Sequence, residues 1–153
     1  MTVPGLYIVC HEPALLAGMP YPRDEPWDEL HDLGFRHVVC LTAVQPPYDP
    51  FPLSVLHAAA LEDRAAGGPP SEPPEEARKI REAAVVIREQ LQQHESVVVH
   101  CLAGVGRTGT VLACALIELA LPSTEAVRLV QANVGWPESD WHAELVRDYF
   151  VQL

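Results

Sequence analysis

Lysine is almost missing from this chain: Lys79 is the only one among 153 residues, and ten Lys and Arg stand against twenty-one Asp and Glu. The formal net charge is −11. A domain so poor in cations cannot neutralise a row of phosphates, which argues against nucleic acid and anionic membrane as partners. Paired cysteines are missing too. Cys10, Cys40, Cys101 and Cys114 form no C-x-x-C, and their even number does not require disulfides. His11, His31, His37, His57, His94 and His142 show no H-E-x-x-H or comparable metal spacing, so no metal and no cofactor is expected. Apolar runs never reach the roughly 18 residues of a membrane span. The opening Met1-Thr2-Val3-Pro4-Gly5 lacks the basic start and apolar core of a signal peptide. The expected compartment is the cytoplasm.

What is present suits one α/β domain over residues 1–153. Apolar residues make up 48% of the chain, enough for a core at this length without staples. Leu6–Val9 is an apolar run suited to a strand, and Leu15–Gly18 suits a second. Residues 26–33 read as a short helix, with Glu25 just before Pro26 at a first-turn position and Gly34 closing it. Arg36–Leu41 reads as a buried strand and holds Cys40. The prolines of 46–52 exclude regular structure there. Val55–Leu61 is a further strand candidate. Residues 64–74, with two glycines and four prolines, read as a surface loop. Over 74–93 the spacing of Ala77, Ile80, Ala84, Ile87 and Leu91 predicts a helix, with Glu75 and Glu76 in its first turn.

Val97-Val98-Val99 has the all-β-branched look of a strand covered on both faces. Thr108–Ala120 is apolar almost all round and reads as a buried helix, with Cys114 a buried thiol. Ser123 is placed to cap another helix to about Val134, and Ser139 or Asp140 a last one to Val151. Trp141 in that last helix is expected in the core. The alternation implies a central sheet of four or five largely parallel strands flanked by helices, with the strand ending at His100 at its centre.

The informative stretch is His100-Cys101-Leu102-Ala103-Gly104-Val105-Gly106-Arg107-Thr108-Gly109-Thr110. A cysteine leaves a buried strand, and after five intervening residues an arginine opens a buried helix. The loop between them is small and Gly-rich, so the backbone N–H groups of Leu102, Ala103, Gly104, Val105 and Gly106 can converge on one point. The helix N-terminus adds donors and partial positive charge, and the Arg107 guanidinium adds a two-pronged contact suited to tetrahedral oxyanions. Such a loop cradles a phosphate-sized dianion. The same field favours the Cys101 thiolate over the thiol, and a thiolate at the floor of a phosphate cradle is placed to attack phosphorus. Thr108 has a hydroxyl that can donate to the sulfur when it leaves again. His100 is better placed to order the loop than to act as a base. The string is not a Walker loop, because the G-x4-G-K-[ST] spacing and its lysine are absent.

This string resembles the H-C-x5-R-[ST] signature of the cysteine-based protein tyrosine phosphatases. Its H-C-x-x-G-x-G-R-T-G form is especially similar to the dual-specificity branch. A weaker resemblance runs from about Leu33-Gly34-Phe35-Arg36-His37-Val38-Val39 to Phe150, and it is greatest to the small atypical dual-specificity enzymes. The resemblance implies metal-free removal of phosphate from a phosphorylated protein or peptide through a phosphocysteine. It also implies an aspartate on a loop before the cysteine, as acid for the leaving oxygen and then as activator of water. Asp63, 38 residues before Cys101, matches that position; Glu62 is its neighbour in register and Asp49 a more distant rival. Residues 64–70 make this loop longer than in compact relatives. Relatives often carry Arg-Pro where Trp136-Pro137 stands, so Trp136 is expected either at the pocket or in packing. Some relatives trap the oxidised nucleophile as a disulfide, a role open to Cys10 or Cys40. Lipid-directed relatives carry lysines in the loop, whereas Leu102, Ala103 and Val105 are uncharged here. Two alternatives remain at this stage: a phosphate-recognition module without turnover, and a phosphatase of RNA 5′-ends or small phosphoesters.

Overall fold

The strand expected at the centre of the sheet is there, as β5, Ser96–His100. The computed structural model describes residues 3–63 and 67–150, and five strands and five helices are found among them. The other strands are β1 Tyr7–Cys10, β2 Leu16–Met19, β3 Phe35–Cys40 and β4 Ser54–Ala58. The sheet order is β1-β2-β5-β3-β4. The β1–β2 pair is antiparallel; β2–β5, β5–β3 and β3–β4 are parallel. The helices are α1 Trp27–Leu33, α2 Pro73–Gln92, α3 Gly106–Glu118, α4 Ser123–Gln131 and α5 Asp140–Arg147. No helix among the described residues is long and apolar enough to cross a membrane.

β5 is buried from end to end, because strands flank both its edges and helices cover both faces. Its side chains alternate between two cores. Val97 and Val99 enter the larger one, with Ile80, Ile87 and Leu91 of α2 and Leu112 and Leu116 of α3. Val98 enters the smaller one, with Trp27 and Leu30 of α1 and Phe35. The same period continues past the strand end. His100 falls on the α1 side, against Tyr48, which itself packs on Trp27. Cys101 falls on the α3 side, within the larger core. Adjacent residues thus enter different layers.

Several expected boundaries move. β4 stops at Ala58, because beyond it the chain bends and the Ala59 and Leu61 N–H groups turn to the carbonyls of Cys40 and Leu41. α1 takes Pro26 as its N-cap, and its first-turn acids are Asp28 and Glu29 rather than Glu25; Gly34 does close it, at φ 112°. α2 begins at Pro73, since prolines at the first two positions lose no intrahelical bond. Ser123 is not a cap: Pro122 holds that position without a side-chain bond, and α4 ends at Gln131. Ser139 does cap α5, its Oγ accepting the His142 N–H at 3.3 Å. α5 ends at Arg147, and Val151 lies outside the described residues. Trp141 is not core. The inward positions of this two-turn helix are taken by His142, Leu145 and Val146, which leaves Trp141 half-buried at a surface groove with Pro73, Ala77 and Val85. Residues 64–66 of the long loop also lie outside the described residues.

Candidate active site

The chain turns out of β5 through residues 101–105 and enters α3 at Gly106, which puts Arg107 and Thr108 in the first helical turn. Gly104 makes this turn possible. Its φ is +77°, and a Cβ there would stand 2.5 Å from the Met19 carbonyl carbon, which is main chain and cannot yield. The Gly104 N–H donates to Cys101 Sγ at 3.3 Å. Its carbonyl accepts the Tyr7 hydroxyl at 2.6 Å. Burial, and then the nearby Cys101 sulfur, push the Tyr7 phenol up, so it keeps the proton that it donates. A second tie comes from the Tyr21 N–H, which donates to the Leu102 carbonyl at 3.0 Å.

His100 lies beneath the loop, fully buried. Its Nδ1 is 3.2 Å from the Cys101 carbonyl oxygen, and its Nε2 is 2.6 Å from the Tyr48 hydroxyl. A carbonyl can only accept, so Nδ1 carries the hydrogen and Nε2 accepts from Tyr48. The Tyr48 phenol, pushed up first by burial and then by Cys40, remains a donor. The imidazole is thereby occupied at both nitrogens and anchors the loop from below, on the side away from Cys101.

Cys101 is 1% exposed, yet it borders a cavity of about 470 Å³. Leu102, Ala103, Val105, Gly106 and Arg107 line the same cavity, with Asp63, Gly135, Pro137 and Glu138. Arg107 is nearly buried; its Nη1 donates to the Leu61 carbonyl at 3.4 Å, and its Nη2 is 3.7 Å from Asp63 Oδ2. The guanidinium is therefore held at the chain segment that carries Asp63, whose side chain is half exposed. Glu62 points elsewhere: its two carboxylate oxygens accept the Ser71 N–H and hydroxyl at 2.8 and 2.9 Å. Asp49 accepts the Phe51 N–H in its own turn at 3.1 Å. Of the three carboxylates weighed from sequence, Asp63 is the one that borders the cavity.

The Thr108 hydroxyl is buried and makes no hydrogen bond, to Cys101 or to any other described group. Trp136 packs rather than lining the cavity. It is 4% exposed, its Nε1 donates to Thr110 Oγ1 at 2.8 Å, and its ring fills the space a Cβ at Gly109 would need. All four cysteines are free: Cys10 is half-buried with its thiol on the Glu12 carbonyl, and Cys40 is buried beside Thr42. Burial pushes the Cys114 thiol up, in keeping with an inert core position. Among the described residues, no three His, Cys, Asp or Glu side chains cluster as metal ligands.

Three contributors escape the sequence pattern. Tyr7 and Tyr48 hold the loop from distant segments, and isolated tyrosines carry no motif. Glu138 borders the cavity from the α4–α5 connection. The Pro137-Glu138 pair, next to the position singled out at Trp136, was the signal that could have drawn attention to it.

A family model described as PTP-SAK, Swiss Army Knife protein, DSP-PTPase phosphatase domain, matches residues 8–143. The fold is similar to that of Tk-PTP in its active form, with TM-score 0.75 and 22% identity over 99% of this chain and 100% of that one. Human DUSP28 superposes with TM-score 0.75 at 14% identity, covering 99% of this chain and 98% of that chain. A mouse putative dual specificity phosphatase, solved with zinc tungstate, reaches TM-score 0.78 at 15% identity, over 99% and 90% of the two chains. A strand, a cysteine-led loop opening α3 and a match over most of the chain agree: this protein belongs to the PTP-SAK family of dual-specificity-type phosphatase domains, within the protein tyrosine phosphatase superfamily.

Proposed function

We propose that the protein is a phosphoprotein phosphatase, of tyrosine or dual specificity, working through a phosphocysteine. The observation that carries this is the meeting of Cys101, Arg107 and Asp63 at one cavity, with a backbone N–H already directed at the sulfur. The phosphoryl oxygens bind the loop amides of residues 102–106 and the Arg107 guanidinium. The Cys101 thiolate attacks phosphorus, and Asp63 protonates the departing oxygen. Water then cleaves the P–S bond. The Thr108 hydroxyl, uncommitted in the resting site, donates to the sulfur as its charge returns. His100, tied up at both nitrogens, orders the loop.

The cavity favours a singly phosphorylated side chain. Arg107 is the one cation among its described lining residues, while Asp63 and Glu138 add negative charge. Inositol polyphosphates and 5′-phosphorylated RNA carry further anionic groups that find no partner there. Exposed Leu102 offers an apolar contact to the stem of a phosphorylated residue instead.

The test is hydrolysis of an aryl phosphate with and without a chelator. Wild type turns over in both conditions, and Cys101→Ser in neither. Turnover that needs metal, or that survives Cys101→Ser, ends the proposal. A panel of phosphopeptides probed with Asp63→Ala as a substrate trap then separates tyrosine from serine and threonine.

A further inference from the structure

Glu138 is an odd residue to find beside a phosphate cradle. Its side chain is only 9% exposed, and it borders the cavity that Cys101 and Arg107 share. It lies directly against the loop: a Cβ on Gly106 would stand 2.7 Å from its Oε2 and 3.2 Å from its Oε1. Gly106 is the residue that lets it come so near. The carboxylate also faces a buried imidazole. Its Oε1 is 3.2 Å from Nε2 of fully buried His142, whose Nδ1 is 2.6 Å from Ser139 Oγ, the cap of α5. Glu138 therefore joins the first turn of one helix to the cradle at the start of another.

A carboxylate here opposes the binding of a phosphate dianion, so its use is not in binding. Asp63 reaches the cavity from a different segment, through Arg107, and its half-exposed position suits a leaving group that enters and departs. Once that group has gone, the phosphocysteine needs a fixed acceptor for the proton of the attacking water. A carboxylate that is sheltered and seated against the loop meets that need better than a half-exposed one.

We infer that Glu138 is the base of the second step, dividing the labour with Asp63 as acid of the first. This rests on the thiolate mechanism proposed above. The water oxygen bonds to phosphorus while its proton passes to a Glu138 oxygen. The P–S bond breaks, and its electron pair returns to Cys101 as thiolate. Inorganic phosphate leaves, and Glu138 releases its proton to solvent.

The experiment compares wild type, Glu138→Gln and Asp63→Ala with an aryl phosphate, by stopped flow and by acid quench of radiolabelled substrate. Glu138→Gln keeps the wild-type rate for the first release of phenol, while kcat falls about 10²-fold and label accumulates on Cys101. Asp63→Ala slows the first release instead. If Glu138→Gln slows both phases equally, the carboxylate merely braces the loop and the inference fails. It also fails if kcat is unchanged, or if wild type carries label on Cys101 that Glu138→Gln does not increase. Absence of label on Cys101 in every variant sinks the thiolate mechanism itself, and this inference with it.

Discussion

Replacing Thr108 by valine is expected to make the protein more stable and less active at once. The hydroxyl is fully buried and has no hydrogen-bond partner. An unsatisfied buried hydroxyl costs about 1–3 kcal/mol. Valine keeps the branched shape and puts a methyl where the hydroxyl stood, so about 1–2 kcal/mol of that cost is recovered. Unfolding entropy near 60 °C is about 2.1 cal/mol/K per residue, or about 0.3 kcal/mol/K for 153 residues. Tm should therefore rise by about 3–6 °C. The catalytic effect has the opposite sign. A donor to a departing thiolate contributes about 1.5–3 kcal/mol, so kcat should fall about 10- to 100-fold. KM should change little, because the loop amides and Arg107 are untouched. Calorimetry and steady-state hydrolysis of an aryl phosphate check the two halves. A lower Tm would mean that the hydroxyl is satisfied in solution; an unchanged kcat would remove Thr108 from the chemistry. A higher Tm together with a lower kcat would mark a stability–activity trade at a single atom.

Asp63→Ala should lower kcat by about 10²-fold or more while substrate binding is largely kept, and an unchanged kcat would remove it from the acid role. Gly104→Ala should cost about 1–2 kcal/mol for the left-handed backbone alone, and the added clash with Met19 main chain should force the loop open, with about 10²-fold or greater loss of kcat; tungstate affinity measured by calorimetry should fall with it. Tyr48→Phe should leave buried His100 Nε2 without its donor and lower stability by about 1–3 kcal/mol in urea denaturation. Glu76 is buried, and burial raises its carboxyl above the usual range despite the Glu62 N–H bond at 2.9 Å. The folded state thus binds this proton more tightly than the unfolded chain, so the charge subtracts stability above the folded value, and the deficit vanishes as pH drops below the unfolded one. Glu76→Gln should accordingly raise Tm at neutral pH and lose that advantage near pH 4, which thermal melts across pH would reveal.

The central part of this molecule was readable because its physics is local. Three consecutive valines suit a doubly covered strand, two glycines before an arginine suit a tight turn into a helix, and the apolar run after them suits a buried helix. The family match over residues 8–143 agrees with that reading. The choice between Glu62 and Asp63 was not local. It depends on Ser71 accepting the role of partner to Glu62, across a loop whose path no spacing rule determines. Tyr7, Tyr48 and Glu138 were invisible for the same reason: each meets the loop through tertiary contact, from 97, 52 and 32 residues away in sequence from Gly104, His100 and Gly106. Trp141 was misplaced because a large apolar residue on a short helix reads as core, whereas only one narrow stripe of α5 finds room inward.

Tyr7 lies across Gly18, where a Cβ would overlap its ring at 2.5 Å, before its hydroxyl reaches Gly104. The outermost, antiparallel strand is thereby wired to the geometry of the innermost loop. Trimming the chain ahead of β2 would here cut a guy-rope of the loop that leads into α3. Any side chain at position 18 would do the same from within the sheet, by lifting the tyrosine off its seat.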